Sequence, residues 1–493
     1  MTYNNNTQGH TGFPPCDALI SANLSHAVHL PSSPLYPSLV AAYWSLNTRR
    51  RPWCFVLPVT TSEVSRTLAA LSSAGDGAGD WHIAVRSGAH GNDNSNNIEK
   101  GVTIDLSQLN ATTYDAAANI AGVGTGARWG NVYAALDKHG VGVTGGREGI
   151  VGVGGFLLGG GNSWYTARTG FACDSVINYE IVLFSGVVVN ANASVHSDLW
   201  RALKGGGSNF GIVTRFDLEA FPAQNLSITT RTIGPDHSDE FIDAVSGFTD
   251  LAPSFRDNAM IALVTYDSEE NRISLQSIEV NTRNDANTTA FDAFKHIPTL
   301  IPATKQSITL AASSNRSELG SGTRGAGFPV TISNDPRVMR YCIEQHASLF
   351  SDLNAITGLQ NFSTLLNFQP LPSYIAEIGV KKGGNMLGLD RNTTSNMIIF
   401  IGSVVLKAPD SEDQYPQVYQ KVSAMIQRIE AFSKSMGSSQ EFIYLNYANA
   451  AQDALGSYGA ANVKHIRQAA NKYDPHRFFQ KRVPGGFKID RVG

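Results

Sequence analysis

No stretch of this chain reaches the roughly 18 consecutive apolar residues of a membrane span, so no membrane partner is expected. Long basic runs are missing too, and the formal charge is only −3, which argues against nucleic acid as a partner. The P-loop signature is absent, which sets nucleoside triphosphatases aside. The polar, Asn-rich start from Met1 to Gly12 carries no apolar core for a signal peptide. Two readings stay open: a secretory protein whose leader is absent from this chain, which we favour, and a cytoplasmic one. Nine Asn-x-Ser/Thr sequons, at Asn5, Asn23, Asn110, Asn192, Asn225, Asn287, Asn315, Asn361 and Asn392, give the secretory route mild support. Cysteines number four and allow three full pairings. Cys173 and Cys342 show no metal spacing, and no metal is expected.

Glycine is plentiful, at 47 of 493 residues, and it gathers where chemistry is expected. The stretch 85–161 holds two glycine-rich loops. One is Val85-Arg86-Ser87-Gly88-Ala89-His90-Gly91. The other is Gly145-Gly146-Arg147-Glu148-Gly149-Ile150-Val151-Gly152-Val153-Gly154-Gly155-Phe156-Leu157-Leu158-Gly159-Gly160-Gly161. An isolated glycine usually marks a turn. Two such loops closing strand-like runs in one segment point instead to close backbone approach and positive φ. Runs of small residues also expose successive N–H groups that bind anionic oxygens. Arg86 adds a charge-assisted grip for phosphate. The stretch therefore reads as a cradle for a large phosphate-bearing cofactor. A nicotinamide site is the rival: Gly122-x-Gly124-x-x-Ala127 fits the loose fingerprint, but a lone match is weak and no acidic residue follows at the expected distance.

The chain's length suffices for two substantial domains at about 100–200 residues each. Its 42% hydrophobic and 16% charged composition is that of a soluble globular protein. Residues 1–35 read as an extended arm, followed by a short helix over 37–46 and a strand over 55–58. Thr60 and Glu63 form a capping box opening a helix that presents Val64, Leu68 and Leu71. Strands are expected over 83–86, 102–106 and 119–123, and a helix presents Trp129, Val132, Tyr133 and Leu136 on one face. The runs 177–184 and 187–190 form a hairpin about Ser185-Gly186. Ser197 caps a helix near 199–203, and 211–218 is a strand. Beyond Pro222, strands at 259–266, 273–280 and 397–405 alternate with amphipathic helices, the clearest over 417–436, which suggests a mixed sheet backed by helices. Period-two alternation over 442–447 puts Tyr444 and Asn446 on one face, and 462–472 is a helix.

The Arg-Ser-Gly-x-His loop, the Val-Gly-Val-Gly-Gly run and Ala202-Leu203-Lys204-Gly205-Gly206-Gly207-Ser208-Asn209-Phe210-Gly211-Ile212-Val213-Thr214 occur in that order. Together they resemble the FAD-binding domain of the vanillyl-alcohol-oxidase superfamily, the PCMH type. The C-terminal Tyr444-Leu445-Asn446-Tyr447, Tyr458-Gly459, Tyr473-Asp474-Pro475, Phe478-Phe479-Gln480 and Val483-Pro484-Gly485-Gly486-Phe487-Lys488 resemble its berberine-bridge-enzyme-like branch, fungal type. The likeness covers residues 40–224 and 440–488. It implies an α+β fold: a two-part PCMH-type FAD-binding domain, plus a substrate domain with a mixed or antiparallel sheet backed by helices. The boundaries expected are an arm at 1–45, the FAD-binding domain at 46–224, the substrate domain at 225–440 and a returning segment at 441–493.

The resemblance further implies a Cys16–Cys54 disulfide and FAD tied covalently to a ring nitrogen of His90. A second flavin bond in many relatives comes from a cysteine where this chain has Glu148, so a single linkage is expected. Ala89 stands where the family usually has glycine. The residues expected to hold FAD are Arg86, Ser87, Gly88, Ala89, His90, Gly91, Gly146, Val151, Gly152, Gly154, Gly155, Gly159, Gly160, Gly161, Asn162, Gly211, Ile212, Val213 and Asn446. Tyr444 is expected to face substrate as a base, helped by a cation such as Lys381 or Lys382. Glu148 is a second acid–base candidate, and Val151 the residue that admits dioxygen. The implied function is a monomeric flavin-dependent oxidase of an alcohol, amine, carbohydrate or secondary-metabolite intermediate, reducing O2 to H2O2. A flavin-retaining cyclase or isomerase without net oxidation and a non-catalytic FAD-binding protein are the alternatives.

Overall fold

The computed structural model describes residues 11–74, 80–91, 95–316, 321–407 and 411–493. The start through His10, with the Asn5 sequon, lies outside them. Three sheets carry the architecture. The first holds β1 (Val28–His29), β2 (Cys54–Val56), β3 (His82–Arg86) and β4 (Gly101–Asp105) in the order β1-β2-β4-β3. Strands β2, β4 and β3 run parallel, and β1 closes one edge antiparallel. Every residue of β4 is buried, as a parallel strand covered on both faces requires. The helix Thr61–Ser73 lays Val64, Leu68 and Leu71 into the core beside Trp81, Ile83, Val102 and Ile104. Its cap is reciprocal but displaced by one residue. Thr60 Oγ1 accepts from Glu63 N at 3.2 Å, while Glu63 Oε2 accepts from Val59 N at 2.8 Å.

The expected extended arm is folded instead. Pro14–Leu19 is an α-helix continuing into a π-turn over Ile20–Leu24, because prolines pre-set φ for a first turn and Cys16, Leu19 and Leu24 have a core to enter. The expected helix at 37–46 is likewise shorter, Tyr36–Ala41, with a 3-10 turn at Leu46–Thr48. Cys16 and Cys54 form a disulfide across 38 residues, and Cys173 and Cys342 are free and buried. A loop of that size is worth about 3–4 kcal/mol in the chain-entropy account. Cys16→Ala/Cys54→Ala should lose about that much in denaturant unfolding, and an unchanged midpoint would mean that the helix docks without the bond.

The second sheet holds β5 (Thr112–Asp115), β6 (Ile120–Gly124), β7 (Val141–Val143), β8 (Val176–Val182), β9 (Val188–Asn192) and β10 (Ile212–Pro222). Strand β10 is its centre, pairing antiparallel with β6, β7 and β8, and β8/β9 is the expected hairpin with Gly186 at φ 84°. The helix Trp129–Asp137 buries the four residues expected. Ser197 does not cap its helix: His196, left-handed at φ 50°, is the N-cap, and Ser197 is the first helical residue.

The third sheet is antiparallel, with the order β14-β11-β13-β12-β16-β17-β15-β18. Its strands are β11 (Leu226–Ile233), β12 (Asn258–Asp267), β13 (Arg272–Asn281), β14 (Thr299–Ile308), β15 (Arg324–Ser333), β16 (Phe362–Leu371), β17 (Met397–Leu406) and β18 (Ser439–Gln440). The helices Ser238–Thr249, Pro336–Thr357 and Ser411–Ser435 share one core with it. The last begins six residues ahead of the expected start at 417, with Pro416 inside it. Ile228, Ile261, Ile278 and Val280 instead meet Trp164 and Tyr165 from the loop after the glycine run.

From residue 441 the chain returns to the first two sheets. The helix Ala460–Tyr473 is tied to the helix Ser197–Leu203 by Tyr473 Oη donating to Asp198 Oδ1 at 2.8 Å. Phe478, Phe479 and Val483 enter the core around Trp81 and Ile83, and Ile83 N donates to Arg482 O at 2.6 Å.

Candidate active site

The two glycine loops cross at their backbones. A Cβ added to Gly88 would lie 2.3 Å from Gly152 N, and one added to Gly152 would lie 2.3 Å from Gly88 N. Neither position accepts a side chain while the loops stay in contact. Residues 125–129 join them: Ser87 Oγ donates to Thr125 O at 2.7 Å, Val153 N to Ala127 O at 2.9 Å and Trp129 N to Val151 O at 3.1 Å. Ala89 sits left-handed at φ 58°, a conformation costing a side-chain-bearing residue about 1–2 kcal/mol. That accounts for the family's preference for glycine there.

Most of the expected cofactor glycines face protein. Gly91 abuts Ser95 and Asn96, Gly146 the ring of Trp129, Gly154 Thr125 and Ser87, Gly159 Asn446, and Gly211 the Val182 carbonyl on β8. Ile212 and Val213, both buried, lie within β10. Gly155 is the exception: it is exposed, and a Cβ there would meet nothing within 4 Å. The N–H nest at the end of the run exists, but its oxygen is the protein's own. Gly160 and Gly161 take positive φ, and Gly161 N and Asn162 N both donate to Tyr444 Oη, at 2.8 and 2.7 Å.

That bonding corrects three expectations. Tyr444 is 1% exposed, and its oxygen also accepts from Asn446 Nδ2 at 3.0 Å. Burial pushes its hydroxyl well above the usual tyrosine range, the opposite of what a base needs. Lys381 and Lys382 are turned elsewhere, on Glu377 and Glu219. Residues 441–444 carry no strand pairing and 445–447 form a turn, so Tyr444 and Asn446 meet by that turn rather than by alternation. Asn446 Nδ2 also donates to Phe156 O at 2.9 Å, wedging the segment under the helix Val153–Leu158. Arg86 is corrected too. It is 3% exposed, paired with Asp105, and donates to Leu39 O at 2.6 Å over the Tyr43 ring. Its charge is engaged by a buried carboxylate.

His90 has the environment its expected role demands. Its ring stacks on Trp44 with centroids 4.7 Å apart, and its Nε2 is buried with no hydrogen-bond partner. Burial, aided by the charge of Arg128, pushes its pKa down to about 4, so the imidazole is neutral and nucleophilic near pH 7. An unpartnered buried nitrogen calls for an explanation. That nitrogen fits an attached flavin. Arg128, whose Nη1 donates to Ile150 O, brings a cation to the same place. Val151 is half-buried at this crossing. Glu148, also half-buried, begins the turn that Val151 N closes on its carbonyl at 3.2 Å.

A cleft opens between the loop after Gly161 and the third sheet, with Arg147, Asn162 and Gln369 in its wall. Arg147 Nη2 donates to Tyr447 Oη at 2.6 Å and to Gln369 Oε1 at 2.8 Å. Gln369 Oε1 also accepts from Asn162 Nδ2 at 2.9 Å and Tyr447 Oη at 3.2 Å. Four residues from β16, the glycine run and the returning segment thus converge on one polar cluster. Sequence reasoning gave no role to Arg128, Arg147, Gln369 or Trp44, and it took Tyr444 ahead of Tyr447. The available signal for Gln369 was a lone amide in the apolar run Phe368-Gln369-Pro370-Leu371.

A family model described as an FAD binding domain matches residues 52–192. The FAD-dependent monooxygenase sdcF of Emericella nidulans is 34% identical, over 97% of this chain and 98% of its own. The FAD-dependent monooxygenase drtC of Aspergillus calidoustus is 31% identical, over 92% and 85%. The xylooligosaccharide oxidase of Myceliophthora thermophila, solved with xylobiose, superposes at a TM-score of 0.74 with 18% identity, covering 96% of this chain and 99% of that one. A berberine bridge enzyme variant superposes at 0.74 with 16% identity, covering 94% and 97%. With the α+β architecture and the glycine crossing, these likenesses make the chain a flavin-dependent oxidoreductase: it belongs to the family of the fungal FAD-dependent monooxygenases, with the fold shared by the xylooligosaccharide oxidase and the berberine bridge enzyme.

Proposed function

We propose that the protein is an oxidase that takes two electrons and two protons from a small alcohol. The alcohol leaves as the corresponding carbonyl compound, and O2 receives the electrons and protons to leave as H2O2. The observation that carries this reading is Tyr447 Oη, 2.6 Å from Nη2 of Arg147, a residue of the cleft wall. A guanidinium donating to a phenolic oxygen would stabilise negative charge left there once the O–H that bonds Gln369 Oε1 has given up its proton, and the oxygen would then accept a proton from a substrate hydroxyl. Gln369 fixes both partners through one carbonyl oxygen. His90 holds the FAD by a single covalent bond, with Gly155, Val151 and Arg128 bordering it; Glu148 takes no step. Bound FAD supplies a two-electron acceptor that dioxygen regenerates. The Cys16–Cys54 bond supports a secretory route, since disulfides persist in oxidising compartments. Among the described residues no helix is long and apolar enough to cross a membrane.

The experiment is an anaerobic screen of alcohols, amines and sugars for flavin bleaching, followed by peroxide measurement in air with 18O2. Peroxide equal to the carbonyl formed, with no label in the product, supports the oxidase. The names of the relatives favour a second reading, monooxygenation, in which one labelled atom enters the product. Turnover with neither bleaching nor peroxide would leave a cyclase or isomerase.

Val151 is the proposed oxygen gate. Its carbonyl is fixed by Trp129 N, and its backbone borders Gly88, so the side chain has little room to turn away. Interiors leave few gaps as large as O2, and one added methylene can close such a gap. Val151→Leu should slow reoxidation at least about ten-fold and leave reduction by substrate nearly intact. Stopped-flow reoxidation at the wild-type rate would remove the gate.

A further inference from the structure

The cleft's polar side chains are already engaged with one another. Asn162 donates to Gln369 and accepts from Thr166 Oγ1 at 3.0 Å, while Thr166 Oγ1 accepts from Ser163 N at 2.8 Å. Asn258 donates to Phe255 O and accepts from Asn281 Nδ2, both at 2.9 Å. The remaining wall is apolar: Phe248, Leu251, Phe255 and Met260, facing Trp164 and Ile375. Two buried donors on the wall have no partner, Trp164 Nε1 and Gln369 Nε2. Gln369 is 2% exposed, its Oε1 takes three donors, and its Nε2 has no partner. The donors fix the amide's orientation, since Arg147 can only donate. A buried donor without an acceptor costs free energy until something accepts from it.

We infer that the cleft takes a largely apolar, ring-bearing molecule with few polar groups, one of them a hydroxyl whose oxygen accepts from Gln369 Nε2 beside Tyr447. An oligosaccharide brings more hydroxyls than the two unpartnered buried donors of these walls can pair, and each buried hydroxyl left unpaired weakens binding. A lipophilic monoalcohol pairs its one polar group and buries the rest against Phe248, Leu251, Phe255 and Met260. Gln369 is therefore a specificity-determining residue. The inference rests on the cleft being the substrate site of the proposed oxidase.

Equilibrium dialysis of the anaerobic holoenzyme against perillyl alcohol, limonene (the same skeleton without the hydroxyl) and cellobiose tests it. Perillyl alcohol should bind about ten-fold more tightly than limonene, and cellobiose not measurably. Gln369→Met should bring perillyl alcohol to within about three-fold of limonene measured on the same variant, a ratio that cancels what losing the Oε1 acceptor of Arg147, Asn162 and Tyr447 does to the cleft. Phe255→Asp, at the half-buried end of the otherwise exposed 3-10 turn Pro253–Phe255, should weaken both about ten-fold by placing a charge on the apolar wall. Cellobiose binding more tightly than perillyl alcohol, no binding of perillyl alcohol, or a ten-fold preference surviving Gln369→Met would each overturn the inference. Perillyl alcohol bound as expected, with neither bleaching nor peroxide, supports the inference and sinks the oxidase reading. Cellobiose turned over with peroxide does the reverse.

Discussion

Tyr447→Phe should slow reduction of the flavin by substrate by about 10²–10⁴-fold, the usual range for a lost general acid or base. The substitution removes one oxygen and leaves the ring, which packs edge-on against Tyr444 at 4.7 Å, so the fold and FAD content should be unchanged. Arg147 would keep Gln369 as a partner. Tyr444→Phe gives the contrast. It takes the acceptor from Gly161 N, Asn162 N and Asn446 Nδ2 at once, and each buried donor left unpaired costs about 1–3 kcal/mol. That variant should unfold at lower denaturant, while its remaining folded enzyme keeps a reduction rate far above that of Tyr447→Phe. Rapid-scan anaerobic reduction of both variants decides between the two hydroxyls. A wild-type rate in Tyr447→Phe would move the proton acceptor elsewhere, with Glu148 next to test.

His90→Ala should abolish covalent attachment entirely. After acid or heat denaturation, wild-type protein should keep its yellow colour in the pellet, with the modified peptide containing His90. The variant should release all its FAD to the supernatant. The chain should still fold, because His90 Nε2 makes no internal hydrogen bond to lose; the loss is the stack on Trp44. The crossing of Gly88 with Gly152 does not depend on the imidazole, so a weaker non-covalent complex should persist. Release of all flavin from denatured wild-type protein would refute attachment, whatever the variant does.

What the sequence disclosed followed the range of the interactions. The helix over Val64, Leu68 and Leu71, the hairpin about Gly186 and the buried face of Trp129 and Tyr133 depend on residues a few positions apart, and they are where periodicity puts them. The Arg147–Gln369 contact joins residues 222 positions apart and Arg147–Tyr447 joins residues 300 apart, and no local pattern reports either. Glycine misled in a different way. A glycine needed against a neighbouring strand, as at Gly211, and one with open space beside it, as at Gly155, are the same letter. Arg86 belongs with them: a guanidinium beside a glycine loop reads as a phosphate clamp, until Asp105 on the adjacent strand claims it. Ordered family motifs pointed to the two loops that cross, and nothing local in them says which side chains meet there.

The tie between Tyr444 and the two N–H groups at Gly161 and Asn162 also sets a schedule. The end of the glycine run leaves the ribosome nearly 300 residues before its acceptor does. At about 5–20 residues per second, that interval is of order 15–60 s, and Phe478, Phe479 and Val483 follow later still. During it the parallel sheet and the loop crossing can assemble, but Gly161 and Asn162 lack their anchor. Nascent chains arrested before residue 444 should therefore hold FAD poorly, and cofactor capture becomes an event of the released polypeptide. Trimming the carboxyl terminus would return the mature protein to that earlier state.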